Sequence, residues 1–276
     1  IEASSYQLEY SKLFASEYAT ILNISPDHLE RHKTIKNYIS AKFKLIKNQK
    51  KGAIAFINKH DKHIKKGIKK INYKSKIIKV ETKLKDRITN IFKNDYFIST
   101  SNKENLAFVI EIAKKLKVKK NSLVEAINSF EGLKYRQQII FENKNILVIN
   151  DSKSTSYSSS VEILKNSKNI YWLLGGISKK GDKFNLSKKY YKNIKCFVFG
   201  KKKEKILTDL KNKIEFKKFT DLKKALSGVF HDIKKDSSIK KTILFSPAAA
   251  SFDSFKNFED RGFYFDKLIN KYLNVK

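Results

Sequence analysis

Apolar and polar positions divide the chain into two regimes. In the first part, residues 19–24 (ATILNI) read as a short buried strand. A turn follows at Ser25-Pro26, then a dense polar cluster of Asp27, His28, Glu30, Arg31 and His32. The pattern next predicts a helix capped by Thr34 and carrying Lys42. Residues 52–58 (GAIAFIN) read as a second strand, and residues 1–9 as a strand end running into a loop. Leu106, Val109, Ile110 and Ala113 recur at helical spacing and predict a helix over 102–117, followed by another over 122–130. The lysine-rich span 59–95 is expected to hold short strands and a helix whose charges form a solvated face. Glu131-Gly132-Leu133 reads as a hinge, which places a boundary near Leu133 and gives domains 1–133 and 134–276.

Beyond the hinge the pattern becomes regular. Strands are expected at 138–142 and 146–150, joined by Asn143-Lys144-Asn145. Apolar runs at 170–174, 196–199, 214–219 and 242–245 alternate with helical stretches. That alternation predicts an α/β fold with a parallel, doubly wound sheet and helices on both faces.

Composition changes this picture in three ways. The formal net charge of +33 points at first to nucleic acid, but only four of the 60 basic residues are arginines: Arg31, Arg87, Arg136 and Arg261. Nucleic-acid readers lean on arginine for bidentate and stacking contacts, so lysine here reads as surface filler. Three of the four arginines and both prolines, Pro26 and Pro247, sit in polar clusters, where they mark geometry that lysine cannot reproduce. The one cysteine, Cys196, lies in an apolar run and excludes an internal disulfide. The chain begins at Ile1 and contains no methionine, from which a missing N-terminal part is expected. No run approaches the ~20 apolar residues of a membrane span, and a cytoplasmic protein is expected.

Several strings are candidates for chemistry. Asp27 and His28 follow a strand, where ligands of α/β sheets bind; read alone, they cap a helix. Glu2 beside Ser4 and Ser5 is by itself a capped turn. Asn102 and Asn105 open a helix and can serve as its N-cap, or as amide readers of a base edge. Asn150 to Ser156 follow a strand and precede a helix, a place that attracts anions. Leu174-Gly175-Gly176 ends a strand in a tight turn, followed by Lys179 and Lys180. Ser246-Pro247-Ala248-Ala249-Ala250-Ser251 places small residues after a strand, and Phe252, Phe255 and Phe258 follow at a three-residue spacing that also suits the core of a last helix.

Together these strings resemble the Mur ligase family over nearly the whole chain, most weakly at 59–95. The resemblance implies the remainder of a central ATPase domain followed by a doubly wound, Rossmann-like C-terminal domain with amino-acid and nucleotide contacts. It implies ATP and Mg2+ as cofactors, with Glu2, His28 and a carbamylated Lys42 at the metal; Lys44 is the neighbouring alternative. Asn102 and Asn105 would contact adenine, Asp151 the ribose, Arg136 the γ-phosphate, and Lys153 a phosphate. Thr155 would face the substrate. The string from Ser246 to Gly262 is similar to members that add D-glutamate to UDP-N-acetylmuramoyl-L-alanine. It carries over Ser251 and Phe258 as D-glutamate contacts, with Lys179, or else Lys180, pairing with a carboxylate. The family's Gly-rich phosphate loop is absent from these residues, so the piece alone is expected to be inactive. A monomeric full-length protein is expected, without nucleic-acid or membrane partners. A folylpolyglutamate synthetase-like ligase and a basic nucleic-acid-binding module are the rival readings.

Overall fold

The computed structural model describes residues 1–84, 91–238 and 240–273. It divides into two compact units, Ile1–Glu131 and Gly132–Lys276.

The first unit is built on a three-stranded parallel sheet, β1 (Tyr18–Ile21), β2 (Ile54–Asn58) and β3 (Lys76–Val80), in that order. Every residue of β2 is buried, as its uninterrupted apolar run requires of a central strand. Its Ala55 and Ile57 pack with Tyr38, Phe43 and Ile46 of α3 (Ile35–Lys47) and Ile64 of α4 (Lys62–Ile68). Its Ile54 and Phe56 pack on the other face with Ala107 and Phe108 of α5 (Thr100–Lys115), and α6 (Lys120–Asn128) follows. Thr34 caps α3, accepting from the Asn37 N–H at 3.2 Å.

Three details differ from the sequence pattern, while the span 59–95 holds a helix and a strand as expected. Residues 5–10 are a helix, α1 (Ser5–Tyr10), instead of a loop. A reciprocal capping box starts it: Ser4 Oγ accepts from Gln7 N–H at 3.2 Å, and Gln7 Oε1 accepts from Ser4 N–H at 2.8 Å. The polar cluster forms a one-turn helix, α2 (Leu29–His32), entered through His28 in the left-handed region at φ 54°. α5 is capped by Ser99, not by Asn102. The span 59–95 contains α4 and β3, while Arg87 lies outside the described residues.

The second unit carries a six-stranded sheet in the order β4-β5-β9-β6-β7-β8. These strands are β4 (Gln138–Glu142), β5 (Ile146–Asn150), β6 (Ile170–Gly175), β7 (Ile194–Phe199), β8 (Phe216–Lys218) and β9 (Lys241–Phe245). β4 is antiparallel to β5, and all other pairings are parallel. α7 (Tyr157–Asn166) and α8 (Glu204–Leu210) cover one face, and α9 (Leu222–Ile233) and α10 (Phe258–Leu273) the other. Helices on both faces exclude water from the parallel strands, so β6 is buried along its whole length. Cys196 is a buried core residue. Phe252 is not: it is 70% exposed and precedes α10. Phe255 packs partly against the core, beside Tyr264.

Candidate functional site

In the first unit α1 docks on the polar cluster through successive side chains. The buried His32 Nε2 lies 3.0 Å from Ser5 Oγ. His28 Nδ1 lies 3.3 Å from the Tyr6 hydroxyl, and the two rings meet edge-on at 5.1 Å. Arg31 pairs with Glu9 at 3.3 Å and also donates to the Tyr10 hydroxyl. Asp27 accepts from the His28 N–H at 3.0 Å, and its carboxylate lies 3.5 Å from His28 Nε2. The cluster is therefore more than a helix cap, because a second segment orders its two imidazoles and its guanidinium.

Beside β1 lies a cleft of about 650 Å³ lined by Glu2, Ser16, Thr20, Asn23 and Lys42 among others. Burial lowers the Lys42 ammonium below its usual range, while the charges of Asp27 and Glu2 pull it back up. Lys44 turns elsewhere and donates to the Glu9 carbonyl at the end of α1. The structure thus separates two lysines that the sequence left as alternatives: Lys42 shares the cleft with Glu2, and Lys44 fastens α1. Among the described residues, no group of three or more histidine, cysteine or carboxylate side chains converges as a metal cluster. Glu2 and Lys42 line one cleft, and the charges of Glu2 and Asp27 both act on Lys42, an acidic setting that fits a hard cation. Asn102 is buried and its amide donates to the Tyr96 carbonyl at 2.6 Å, while Asn105 is exposed.

In the second unit the carboxyl ends of the adjacent strands β5, β9 and β6 gather the remaining candidates. Asp151, just beyond β5, is 5% exposed, and both its oxygens are engaged. Oδ1 accepts from the Gln137 N–H at 3.1 Å and Oδ2 from the Ser246 hydroxyl at 2.8 Å. Burial raises its carboxyl to about 7, opposed by these hydrogen bonds and by the charges of Arg136 and Arg261. Arg136 itself is exposed, on a turn whose flanking residues Tyr135 and Gln137 have φ of 63° and 49°. A chain of hydroxyls continues from Ser246 through Ser160 at 2.6 Å to Ser154 at 3.0 Å.

Arg261 is 1% exposed and ties the three strand ends together. Its guanidinium donates to Ser152 Oγ at 3.1 Å and to the carbonyls of Ser152 at 2.7 Å, Ala249 at 3.0 Å and Gly175 at 3.5 Å. Burial lowers it to about 10. A planar fork can serve several acceptors at fixed angles, and a point-charge ammonium cannot. The next residue has to be glycine, because a Cβ on Gly262 would lie 2.4 Å from the Tyr135 ring. Gly176 has φ 124°, and a Cβ there would lie 2.3 Å from the Ala250 carbonyl oxygen.

The ammonium of Lys153 sits 3.9 Å from the centre of the Phe258 ring, so the loop after β5 meets the start of α10. Ser251 is 3% exposed. Thr155 is half-buried just before α7, and Lys179 is half-buried on the turn after β6, whereas Lys180 is exposed. The Lys179 charge acts on Asp182, a half-buried carboxylate that accepts from the Tyr157 N–H at 2.9 Å. The sequence did not mark Asp182, whose partner Tyr157 lies 25 residues away, or Ser160, which joins Ser154 to Ser246, 86 residues on.

Among the described residues no helix is long and apolar enough to cross a membrane. The Mur ligase middle domain matches residues 1–123. A UDP-N-acetylmuramoylalanine--D-glutamate ligase of Rickettsia bellii is 35% identical over 98% of this chain and 64% of its own length. A protein of the same name from Rickettsia conorii is 30% identical over 98% of this chain and 67% of its own length. This chain thus spans about two thirds of the relatives it matches. The crystal structure of a MurF ligase from Thermotoga maritima in complex with ADP superposes with a TM-score of 0.68 over 98% of this chain and 66% of that one, at 14% identity. With the two-unit α/β fold and its strand-end clusters in place, the chain belongs to the Mur ligase family.

Proposed function

We propose that the whole protein is an ATP-dependent amide ligase that adds D-glutamate to UDP-N-acetylmuramoyl-L-alanine through an acyl phosphate, in peptidoglycan synthesis. The observation that carries the reading is the placement of Thr155, Ser251 and Lys179 on loops after the neighbouring strands β5, β9 and β6, in a chain similar to ligases named for D-glutamate. Domains 1–133 and 134–276 then correspond to the ATP-binding part and to the part with amino-acid and nucleotide contacts.

Lys179 and Ser251 hold the two carboxylates of D-glutamate, Phe258 packs against its carbon chain, and Thr155 faces the acceptor substrate. The amine, left unbound, attacks the acyl phosphate carbonyl; the tetrahedral adduct expels inorganic phosphate and the amine proton passes to solvent. Lys153 neutralises charge on the transferring phosphoryl group, and Arg136 reaches the γ-phosphate with its planar fork. Asp151, engaged on both oxygens, acts on the nucleotide side through the Arg136-Gln137 turn that it holds. Asn102 and Asn105 lie on the adenine side. Magnesium, held by Glu2, His28 and carbamylated Lys42, would supply charge neutralisation at the phosphates. The protein contributes positioning and electrostatics, without a covalent nucleophile.

The test is phosphate release by the whole protein with ATP and UDP-N-acetylmuramoyl-L-alanine. Release should require D-glutamate and fail with L-glutamate. Release with a folate and L-glutamate instead would replace this reading by the folylpolyglutamate synthetase-like one.

A further inference from the structure

The segment after β6 is anchored at both ends. Ile177 and Ala250 exchange two main-chain hydrogen bonds of 2.9 Å. Phe184, 7% exposed, packs against the rings of Tyr157 and Trp172 at 5.4 and 6.0 Å. Between these anchors runs a turn in which Asp182 N–H donates to the Lys179 carbonyl at 3.3 Å. Asp182 then reaches out of its own turn. Its Oδ2 accepts from the N–H of Tyr157, the first residue of α7, at 2.9 Å, and its carbonyl accepts from Lys205 Nζ at 2.9 Å. Ser156 occupies the cap position of α7 but makes no side-chain cap hydrogen bond. The cap is therefore supplied by a residue 25 positions later in the chain. Helix α7 begins directly after Thr155 and Ser156, and the Asp182 turn carries Lys179.

We infer that Asp182 is a positioning residue for the amino-acid substrate: by capping α7 from the Lys179 turn, it fixes Lys179 at a set place relative to Thr155. The inference rests on the reading of Lys179 and Thr155 given above. Two further contacts stiffen the arrangement. Lys205 also binds Asp209, and Asp209 accepts from the Tyr157 hydroxyl at 3.1 Å, so both ends of Tyr157 are tied to the same network. A carboxylate is suited to the task because it stabilises the helix N-terminus, and the charges of Lys205 and Lys179 partly offset the burial that raises its proton affinity. An ordinary cap would support the helix without bearing on one substrate more than another.

The experiment compares Asp182→Ala, Asp182→Asn and Asp182→Glu in the whole protein. Asp182→Ala should raise KM for D-glutamate about ten-fold, with KM for ATP unchanged, as expected for a displaced charge-assisted contact. Asp182→Asn keeps an acceptor for the Tyr157 N–H and should retain most of the wild-type KM. Asp182→Glu keeps the cap but pushes the turn outward, so it should raise KM for D-glutamate while preserving thermal stability, which guards against a misfolded alanine variant. Asp221→Ala removes the cap of α9, where Asp221 accepts from the Lys224 N–H at 2.8 Å, and should leave KM for D-glutamate unchanged. Hydrogen exchange at the Tyr157 amide reports loss of the cap directly. Faster exchange in Asp182→Ala with an unaltered KM for D-glutamate would overturn the inference, as would an equal rise in every KM. Failure of the parent reading would appear differently, as a wild-type protein indifferent to D-glutamate.

Discussion

Lys44 donates its ammonium to the main-chain carbonyl of Glu9, while Lys42, two residues earlier on α3, lines the cleft that also holds Glu2. One lysine is consumed by architecture. The other has its proton affinity lowered by burial, against the charges of Asp27 and Glu2, which raise it.

Lys42 is therefore expected to carry the carbamate. Its neutral amine attacks carbon dioxide and releases a proton, and the product offers two oxygens to a hard cation. In protein equilibrated with 13C-bicarbonate, a carbamate 13C resonance should appear, grow with rising pH, persist in Lys44→Ala and vanish in Lys42→Ala. A signal that disappears with Lys44 instead would reverse the assignment.

Arg261 should dominate the stability of the second unit. Arg261→Ala leaves the carbonyls of Ser152 and Ala249 without their buried donor, at about 1–3 kcal/mol for each orphaned acceptor. Arg261→Lys should recover less than half of the loss. The single tryptophan, Trp172, lies in the core of this unit, so urea unfolding followed by its fluorescence isolates the effect. A midpoint unchanged in Arg261→Ala would contradict the clamp.

Asp151 gives a pH dependence of definite sign. Burial puts its carboxyl at about 7, against about 3.9 in an unfolded chain. Between those values the native state holds a proton that the unfolded state has lost. Its contribution to stability is thus complete below the unfolded value and is lost as pH rises through about 7, with a slope of at most about 1.4 kcal/mol per pH unit. Asp151→Asn should flatten the Trp172-monitored stability profile across this window. A profile as steep as wild type would place the titration elsewhere.

Amino-acid recognition should reside in the second unit. Lys179→Ala and Ser251→Ala in the whole protein are each expected to raise KM for D-glutamate by roughly one to two decades, with KM for ATP little changed. If both altered only the ATP constant, these residues would belong to the nucleotide.

The sequence revealed buried strands best, because a strand covered on both faces leaves an uninterrupted apolar run, as in β2 and β6. Short elements were harder. α1 has only Leu8 as a buried apolar residue, and its one legible signal was the Ser4-x-x-Gln7 capping box. α2 is a single turn, too short to show a period. The rarity of arginine pointed to Arg261, although its acceptors on three loops could not be read from local pattern. The three-residue spacing of the phenylalanines misled at Phe252, since α10 begins only at Phe258. The Asp182 cap left no local trace, because a side chain from another loop takes the place of Ser156.

The docking of α1 on the histidine cluster also links segments that are far apart in the chain. Tyr6 with His28, Ser5 with His32 and Glu9 with Arg31 close loops of 22, 27 and 22 residues, and β1 lies inside each loop. Closing such loops costs chain entropy, which the three contacts offset together, so they are expected to form and break as a set. Among the described residues, β2 is the one strand paired with β1. The amides of β1 are thus expected to exchange faster than those of β2, which is paired on both sides. The pairing of one four-residue strand thus lies within every loop that the contacts of α1 close.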